Sequence, residues 1–371
     1  MKALFVSGDV GGARALIPVM EACERHSFPF AVCRHGHIAT EAPQRWEWVR
    51  PNCTADMRNF FEENGVGLLV FATSSKDTTA LTLARRAGEC LLPTIHVLDN
   101  WTSYALRLKM DGLPAFVPDA YTVMDDRALR EAEEDGVDGS LLHVTGQPAL
   151  ASLWEEYRLW HNSAAKKGSD GDSPRPGKSV MAFVSEPVTH DQGATAASPV
   201  YRGYTETEVL SLFCQTMQPY ADRVKITVLP HPREDREELS RHWESARGLL
   251  EGGIVSVERG RNAIFGADAV VGMASLLLYE AWLLGKPVMS LQPGLRVRPL
   301  RMLESRRDVL FIDRRENMDD RVKKWVSSIR PGARQTPLPE LGLHEKAPEN
   351  VFRLIERYAK QKKADRKRRQ S

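Results

Sequence analysis

A serine and a glutamate, set five residues apart behind a glycine turn, share one stretch of this chain. Ala267 to Leu291 reads ADAVVGMASLLLYEAWLLGKPVMSL. Ala269-Val270-Val271 has the character of a short buried strand, and Gly272 opens a turn. Ser275 is a helix cap, and Gly285 and Pro287 end the helix before a second strand at Val288–Leu291. The first-turn N–H groups of such a helix lack partners within it, which suits a phosphate. At ~1.5 Å rise per residue, Glu280 lies roughly 7–8 Å along the axis from Ser275, the span from a phosphate to a ribose. Gly272, Ser275 and Glu280 therefore read as a nucleotide site. An ordinary capped βαβ unit with a solvated glutamate is the competing reading.

Other polar groups stand where apolar runs end. His231 lies between Pro230 and Pro232, directly after Val224–Leu229, with Arg233 beside it. The prolines restrict the histidine's backbone, and the arginine offers charge for an anion. Arg296 and Arg298 follow the strand at Val288–Leu291 and read either as phosphate partners or as solvated charges. In the first half, Ser7-Gly8-Asp9-Val10-Gly11-Gly12-Ala13-Arg14 follows a strand at Ala3–Val6. Its spacing is not G-x-G-x-x-G, so it is not an NAD site. Gly11 and Gly12 would admit a ligand close to the backbone, or pack the first helix on its sheet. Thr73-Ser74-Ser75 ends the strand Leu68–Ala72, and Asp99-Asn100-Trp101 ends Thr94–Leu98.

The elements that must position these groups alternate. Further strands are expected at Phe30–Cys33, Trp46–Val49, Tyr121–Met124, Leu142–Val144, Val180–Val184, Ile254–Val257 and Val309–Ile312. Helices fall between them, the first at Ala15–Arg25. That rhythm predicts parallel sheets covered on both faces, which bind ligands at the carboxyl ends of their strands. The 371 residues suffice for two domains. The expected division is 1–162, a flexible Gly-, Ser- and Pro-rich linker at 163–178, and a second domain at 179–345. A last helix at Glu349–Lys360 and a disordered basic tail lie within 346–371. The linker's Asp170-Gly171-Asp172 has a metal-binding look but no rigid element to shape it, so no metal site is expected.

Composition narrows the class. Hydrophobic residues make up 42% and charged residues 27%, as in ordinary globular chains, and the net charge of +2 gives no general pull toward nucleic acid. The five cysteines, Cys23, Cys33, Cys53, Cys90 and Cys214, show no C-x-x-C spacing, which fits a reducing cytoplasm. No apolar run approaches the ~20 residues of a membrane span. Any membrane contact would be peripheral, through the basic tail.

Taken together, these residues resemble the GT-B superfamily of nucleotide-sugar glycosyltransferases and the related UDP-N-acetylglucosamine 2-epimerase-like proteins. The resemblance rests on Thr145-Gly146-Gln147-Pro148, Leu229-Pro230-His231-Pro232, and Gly272-x-x-Ser275 with Glu280 and Leu284-Gly285-Lys286-Pro287. One departure is Met273-Ala274, where the superfamily often has a second Gly or Ser beside the capping serine. The resemblance implies an α/β GT-B-like fold, two Rossmann-like domains with parallel sheets facing an interdomain cleft. The C-terminal domain would hold the nucleotide sugar: Ser275 on phosphate, Glu280 on ribose, His231 on phosphate or sugar. The Gly8–Arg14, Thr73–Ser75 and Asp99–Tyr104 loops would hold a carbohydrate or lipid-linked acceptor. Asp99 and Asp9 are the implied bases, and Trp101 and Tyr104 the implied stacking surface. A helix-cap role for Asp99 is the competing reading. The leading expectation is a metal-independent glycosyltransferase with no cofactor besides its nucleotide-sugar donor. A nucleotide-sugar 2-epimerase or hydrolase, and a non-catalytic binding protein, are the alternatives.

Overall fold

A computed structural model describes residues 1–51, 56–73, 77–166, 177–333 and 335–370. The strands are β1 (Lys2–Val6), β2 (Phe30–Cys33), β3 (Trp48–Val49), β4 (Val66–Phe71), β5 (Thr94–Val97), β6 (Ala120–Val123), β7 (Leu142–Val144), β8 (Ser179–Val184), β9 (Val224–Leu229), β10 (Glu251–Ile254), β11 (Ala269–Gly272), β12 (Val288–Leu291) and β13 (Val309–Ile312). The helices are α1 (Val10–Arg25), α2 (Ile38–Glu41), α3 (Met57–Glu63), α4 (Thr79–Glu89), α5 (Asp126–Glu134), α6 (Leu153–Lys166), α7 (Val188–Gln192), α8 (Glu206–Met217), α9 (Arg236–Ala246), α10 (Gly260–Phe265), α11 (Leu276–Leu283), α12 (Met318–Ser328), α13 (Leu341–Glu345) and α14 (Ala347–Gln370). Two compact units divide the chain. Unit 1 is Met1–Ser152 with Gly342–Ser371, and unit 2 is Leu153–Leu341.

Each unit has one wholly parallel sheet. Unit 1 orders its seven strands β3-β2-β1-β4-β5-β6-β7, and unit 2 its six β10-β9-β8-β11-β12-β13. Central strands such as β4, VGLLVF, are buried along their whole length, as a sheet covered on both faces requires. Strand order reverses between β1 and β4 in unit 1 and between β8 and β11 in unit 2. Loops at the carboxyl ends of strands flanking such a reversal splay apart, leaving a crevice for a ligand.

In unit 1, α14 lies against α1: Val351, Phe352 and Ile355 join Leu16, Val19, Met20 and Cys23 in one buried cluster. The Arg25 guanidinium meets Glu349 at 2.9 Å, and His26 stacks on Phe352 with ring centroids 4.4 Å apart.

Several boundaries differ from the sequence reading. The first helix begins at Val10, because the Asp9 carboxylate accepts from the Gly12 N–H at 2.9 Å and starts the helix through the glycines. The third strand is shortened to Trp48–Val49. The strand expected at Ile254–Val257 lies at Glu251–Ile254, where two glycines hid it. The basic tail continues α14 to Gln370; it holds no Gly or Pro, and Lys, Arg, Ala and Gln all favour helix. The division between units falls at Ser152, so α6 belongs to unit 2 rather than to the first domain. The Asp170-Gly171-Asp172 stretch lies outside the described residues. Among the described residues no helix is long and apolar enough to cross a membrane.

Candidate functional site

Beside the strand reversal of unit 1, on the loop after β5, a carboxylate and an arginine form a buried pair. Arg107 Nη1 lies 2.6 Å from Asp99 Oδ1, and only 13% and 9% of the two side chains is exposed. Arg107 also donates to the Thr73 carbonyl at 3.0 Å and, through Nε, to the Thr102 carbonyl at 3.2 Å. It thereby ties the loop after β5 to the end of β4. Gln147 of the Thr-Gly-Gln-Pro stretch donates to the Asp99 carbonyl at 2.6 Å, while its backbone N–H donates to His344 Nδ1 at 2.9 Å. Gly146, at φ +88°, takes a left-handed conformation so close to the Leu343 carbonyl that a side chain would not fit. Burial raises the Asp99 pKa; Arg107 opposes that shift and nearby Asp9 adds to it.

The glycines here serve the protein's own groups. A Cβ on Gly11 would collide with the Asp99 carboxylate, and one on Gly12 with Ser7 Oγ and Ala72. Gly11 therefore makes room for Asp99, and Gly12 allows close packing of α1 on its sheet. Asp9 caps α1, so its carboxylate is engaged. Arg14 is exposed and leans toward Glu41 of α2, at 3.5 Å, instead of toward the strand end. Thr73 is buried, its hydroxyl hydrogen-bonded to His96 Nε2 at 2.9 Å. Burial holds the His96 pKa well below the usual histidine range, so its ring is neutral. Ser74 lies outside the described residues. The expected stacking surface is not available: Trp101 is 1% exposed with Nε1 donating to Asp125, and Tyr104 is 3% exposed with its hydroxyl on Glu131. Both aromatic side chains are buried in support of the loop.

Unit 2 carries a second buried pair at its own reversal. Arg202 Nη1 lies 2.9 Å from Glu186 Oε2, with 11% and 12% of the side chains exposed. Glu186 follows β8. Its other oxygen accepts from the Ala274 N–H at 2.6 Å, just ahead of α11. Ser275 caps that helix, accepting from the Leu277 N–H at 3.3 Å. A carboxylate thus sits at the helix N-terminus expected to attract phosphate. The turn from Gly272 is held in place: Ser290 Oγ donates to the Met273 carbonyl, Gln292 Nε2 to Ser290 Oγ, and the Tyr204 hydroxyl to Gln292 Oε1. Tyr204 anchors the Arg202 loop to the same network. Gly203, at φ +107°, meets the Gly294 carbonyl too closely for a side chain.

His231 stands beside this pair at the end of β9. Its Nδ1 accepts from the Arg233 N–H at 3.2 Å, which assigns the ring proton to Nε2. Burial lowers its pKa, as does Arg233, while Glu186 and Asp191 pull the other way. Glu234 braces the turn, accepting from the His231 N–H and from Ser185 Oγ, both at 2.6 Å. Arg233 itself forms a bidentate pair with Asp191 at 2.5 and 2.6 Å, so its charge is already matched. Arg296 is exposed and lies over the Tyr201 ring at 5.6 Å, its N–H donating to the Arg202 carbonyl at 2.8 Å. Arg298 is exposed on the same loop.

Glu280 has neither of its expected environments. It is 3% exposed, and its two oxygens accept from Arg261 Nε at 2.8 Å and Nη2 at 2.9 Å. Arg261 also reaches Glu156 at 2.9 Å. The helix face carrying Glu280 turns inward, so the carboxylate joins α11 to α10 and α6 instead of meeting water or an open ribose site. Sequence reasoning passed over Arg107, Glu186, Arg202, Glu234 and Arg261. Two of these had a signal: Glu186 lies in Ser-Glu-Pro at a strand end, and Arg202 precedes a glycine.

Both units thus define an α/β protein with polar sites at the carboxyl ends of two parallel sheets. No protein-family profile matches the chain, and no curated protein matches it in sequence. Solved structures do match in shape. UDP-GlcNAc 2-epimerase from Neisseria meningitidis, bound to UDP-GlcNAc, superposes with a TM-score of 0.65 at 12% identity, over 96% of this chain and 100% of that one. The Methanocaldococcus jannaschii UDP-GlcNAc 2-epimerase gives 0.63 at 12% identity with the same coverage. UDP-N-acetylglucosamine 2-epimerase from Rickettsia bellii gives 0.60 at 14% identity, covering 96% of each chain. The chain has the GT-B fold of these proteins.

Proposed function

We propose that this protein is a nucleotide-sugar enzyme that acts on the sugar of its nucleotide sugar without an acceptor, as a 2-epimerase or the corresponding hydrolase. The observation that carries the reading is the extent of the fold match, 96% of this chain against the whole of two UDP-GlcNAc 2-epimerases. It favours the epimerase alternative over the glycosyltransferase expectation. The buried carboxylate–arginine pairs add chemical support. In unit 2, a diphosphate replaces the Glu186 carboxylate at the Ala274 N–H, which frees Arg202 to pair with phosphate. Neutral His231 donates from Nε2 to a phosphate or sugar oxygen. Inverting the sugar's C2 centre takes a proton from one face of C2 as the C1–O bond to the diphosphate breaks, and returns a proton to the other face as the diphosphate or water adds back at C1, so the enzyme needs groups of tunable protonation. Asp99, raised by burial and steadied by Arg107, supplies one of them.

The test is incubation with UDP-GlcNAc alone in deuterium oxide. The expected result is a 2-epimer or free sugar carrying solvent deuterium at C2, with no acceptor added. Release of UDP only when an acceptor sugar is supplied would restore the transferase reading. Absence of both turnover and binding would leave a non-catalytic protein.

A further inference from the structure

The carboxyl ends of the unit 1 strands hold Asp99; the opposite, amino ends carry features that this chemistry does not use. Leu91 closes α4. The Leu91 N–H donates to the Gly88 carbonyl and the Leu92 N–H to the Ala87 carbonyl, the hydrogen-bond pair of a Schellman cap. That cap puts its residue in the left-handed region and normally takes glycine. Here a leucine occupies it, at φ +57°, with 69% of its surface exposed. Local folding gains nothing from this choice, since a large apolar residue is both strained and wetted there. Val117, 69% exposed, and Leu113, 51% exposed, lie on the loop leading into β6. That loop is held against α4: Arg85 donates to the Pro114 carbonyl, and the Phe116 ring lies beside Gly88.

The end of α14 reaches the same place. The Tyr358 hydroxyl donates to the Asp119 carbonyl at 2.6 Å, and Lys362 Nζ to the Leu91 carbonyl at 3.3 Å. From Lys360 to Arg369 the sequence holds seven Lys or Arg and one Asp, yet the whole chain carries only +2. That basic run reaches the exposed Leu91 through Lys362. A cleft of about 710 Å³ opens here too. Met1, Phe61, Val66 and Leu92 contribute to its walls, and it carries charge from Arg58, Lys362 and Glu62.

We propose that this end of unit 1 docks on an anionic lipid surface. Leu91, Val117 and Leu113 enter the headgroup layer, the cationic end of α14 meets lipid phosphate, and the cleft receives an acyl chain. Apolar tips beside a basic helix suit a bilayer; a nucleic-acid backbone would match the charge but make no use of the leucines. The inference does not depend on the epimerase reading, because its residues lie at the other end of the sheet.

The test is co-sedimentation of the full chain with vesicles of phosphatidylcholine alone and of phosphatidylcholine with phosphatidylglycerol. Binding is expected only with the anionic lipid, and it should weaken as salt rises. Replacing Lys363, Lys367 and Arg368 together by glutamine should weaken binding about a hundredfold, at roughly fivefold per charge. Leu91→Asn suits the left-handed conformation. It should leave the melting temperature unchanged or raised while weakening binding roughly three- to tenfold. Equal binding to both vesicle types, or to neither, would overturn the proposal. So would salt-sensitive binding to duplex RNA together with vesicle binding indifferent to Leu91→Asn, which would assign the basic helix to nucleic acid.

Discussion

Asp99–Arg107 and Glu186–Arg202 are both buried carboxylate–arginine pairs at the carboxyl ends of parallel strands, the first after β5 and the second after β8, and their surroundings differ. At the unit 1 reversal, Asp9 already caps α1, so the helix N-terminus is satisfied from within. Asp99 is left with Arg107 and with burial against Gly11, and its proton affinity rises. At the unit 2 reversal, Glu186 comes from a neighbouring strand and accepts from the Ala274 N–H ahead of α11. In the proposed function one carboxylate handles protons and the other stands in for an anion. A buried ion pair does not by itself declare a function, and what each carboxylate's second oxygen meets separates the two.

The strongest test of that contrast is Asp99→Asn. Turnover on the nucleotide sugar should fall about 10²–10⁴-fold, while nucleotide affinity measured by calorimetry stays within about twofold. The stability effect has the opposite sign. The raised pKa means that the folded state prefers the protonated acid, so the parent protein loses stability as pH rises from the ordinary aspartate range through the raised value. The asparagine variant should lack that loss in urea titrations across the same window. If turnover is unchanged, Asp99 has no part in the chemistry and the unit 1 pair is structural.

Buried charges away from both reversals supply the control, because they should alter stability alone. Lys286 is 4% exposed; Nζ donates to the Phe265 and Ala267 carbonyls, and burial lowers its pKa to about 8. Between about 8 and the ordinary 10.5, the unfolded chain binds more protons than the folded one. Stability should therefore rise with pH across that window, by up to about 3 kcal/mol. Lys286→Met should abolish the rise without changing turnover at fixed pH. Glu280→Gln leaves Arg261 with Glu156 and should cost about 1.5–3 kcal/mol in urea unfolding with no change in nucleotide affinity. A tenfold affinity loss in a stably folded Glu280→Gln protein would return the glutamate to the ribose.

The smallest effect is the most specific. Glu186→Gln removes the anion at the α11 N-terminus, so UDP should bind about tenfold more tightly, or ~1.4 kcal/mol. Arg202→Met should weaken UDP binding. Unchanged affinity in both would mean that the unit 2 pair holds only the loop.

Much of this was legible because it depends on local pattern. Alternating apolar runs located the strands, and the GT-B resemblance was carried by short turn motifs whose glycines have local causes. Gly285 does take the left-handed conformation expected of it, at φ +77°. What the sequence hid is set by distance. Nothing near Asp99 foretells Arg107 beyond an unpatterned loop. Nothing near Glu280 foretells Arg261, which arrives from another helix. Trp101 and Tyr104 looked like a sugar platform because aromatic residues at a strand exit serve either stacking or packing. Only their partners, Asp125 capping α5 and Glu131 within it, decide it. Arg233 looked available for the same reason, with Asp191 far off in sequence.

Unit 1 is closed by a segment made long after the rest of it. The apolar stripe of α1, with Leu16, Val19, Met20 and Cys23, is covered by Val351, Phe352 and Ile355 of α14. During translation those three residues emerge only after all of Leu153–Leu341 has been synthesised. Unit 2 is contiguous and ends at Leu341, before unit 1 receives α14, although all seven strands of unit 1 are made first. The nascent chain must carry an uncovered α1 surface through that interval, so the stretch from Leu16 to Cys23 is where a ribosome-bound chaperone would find its grip.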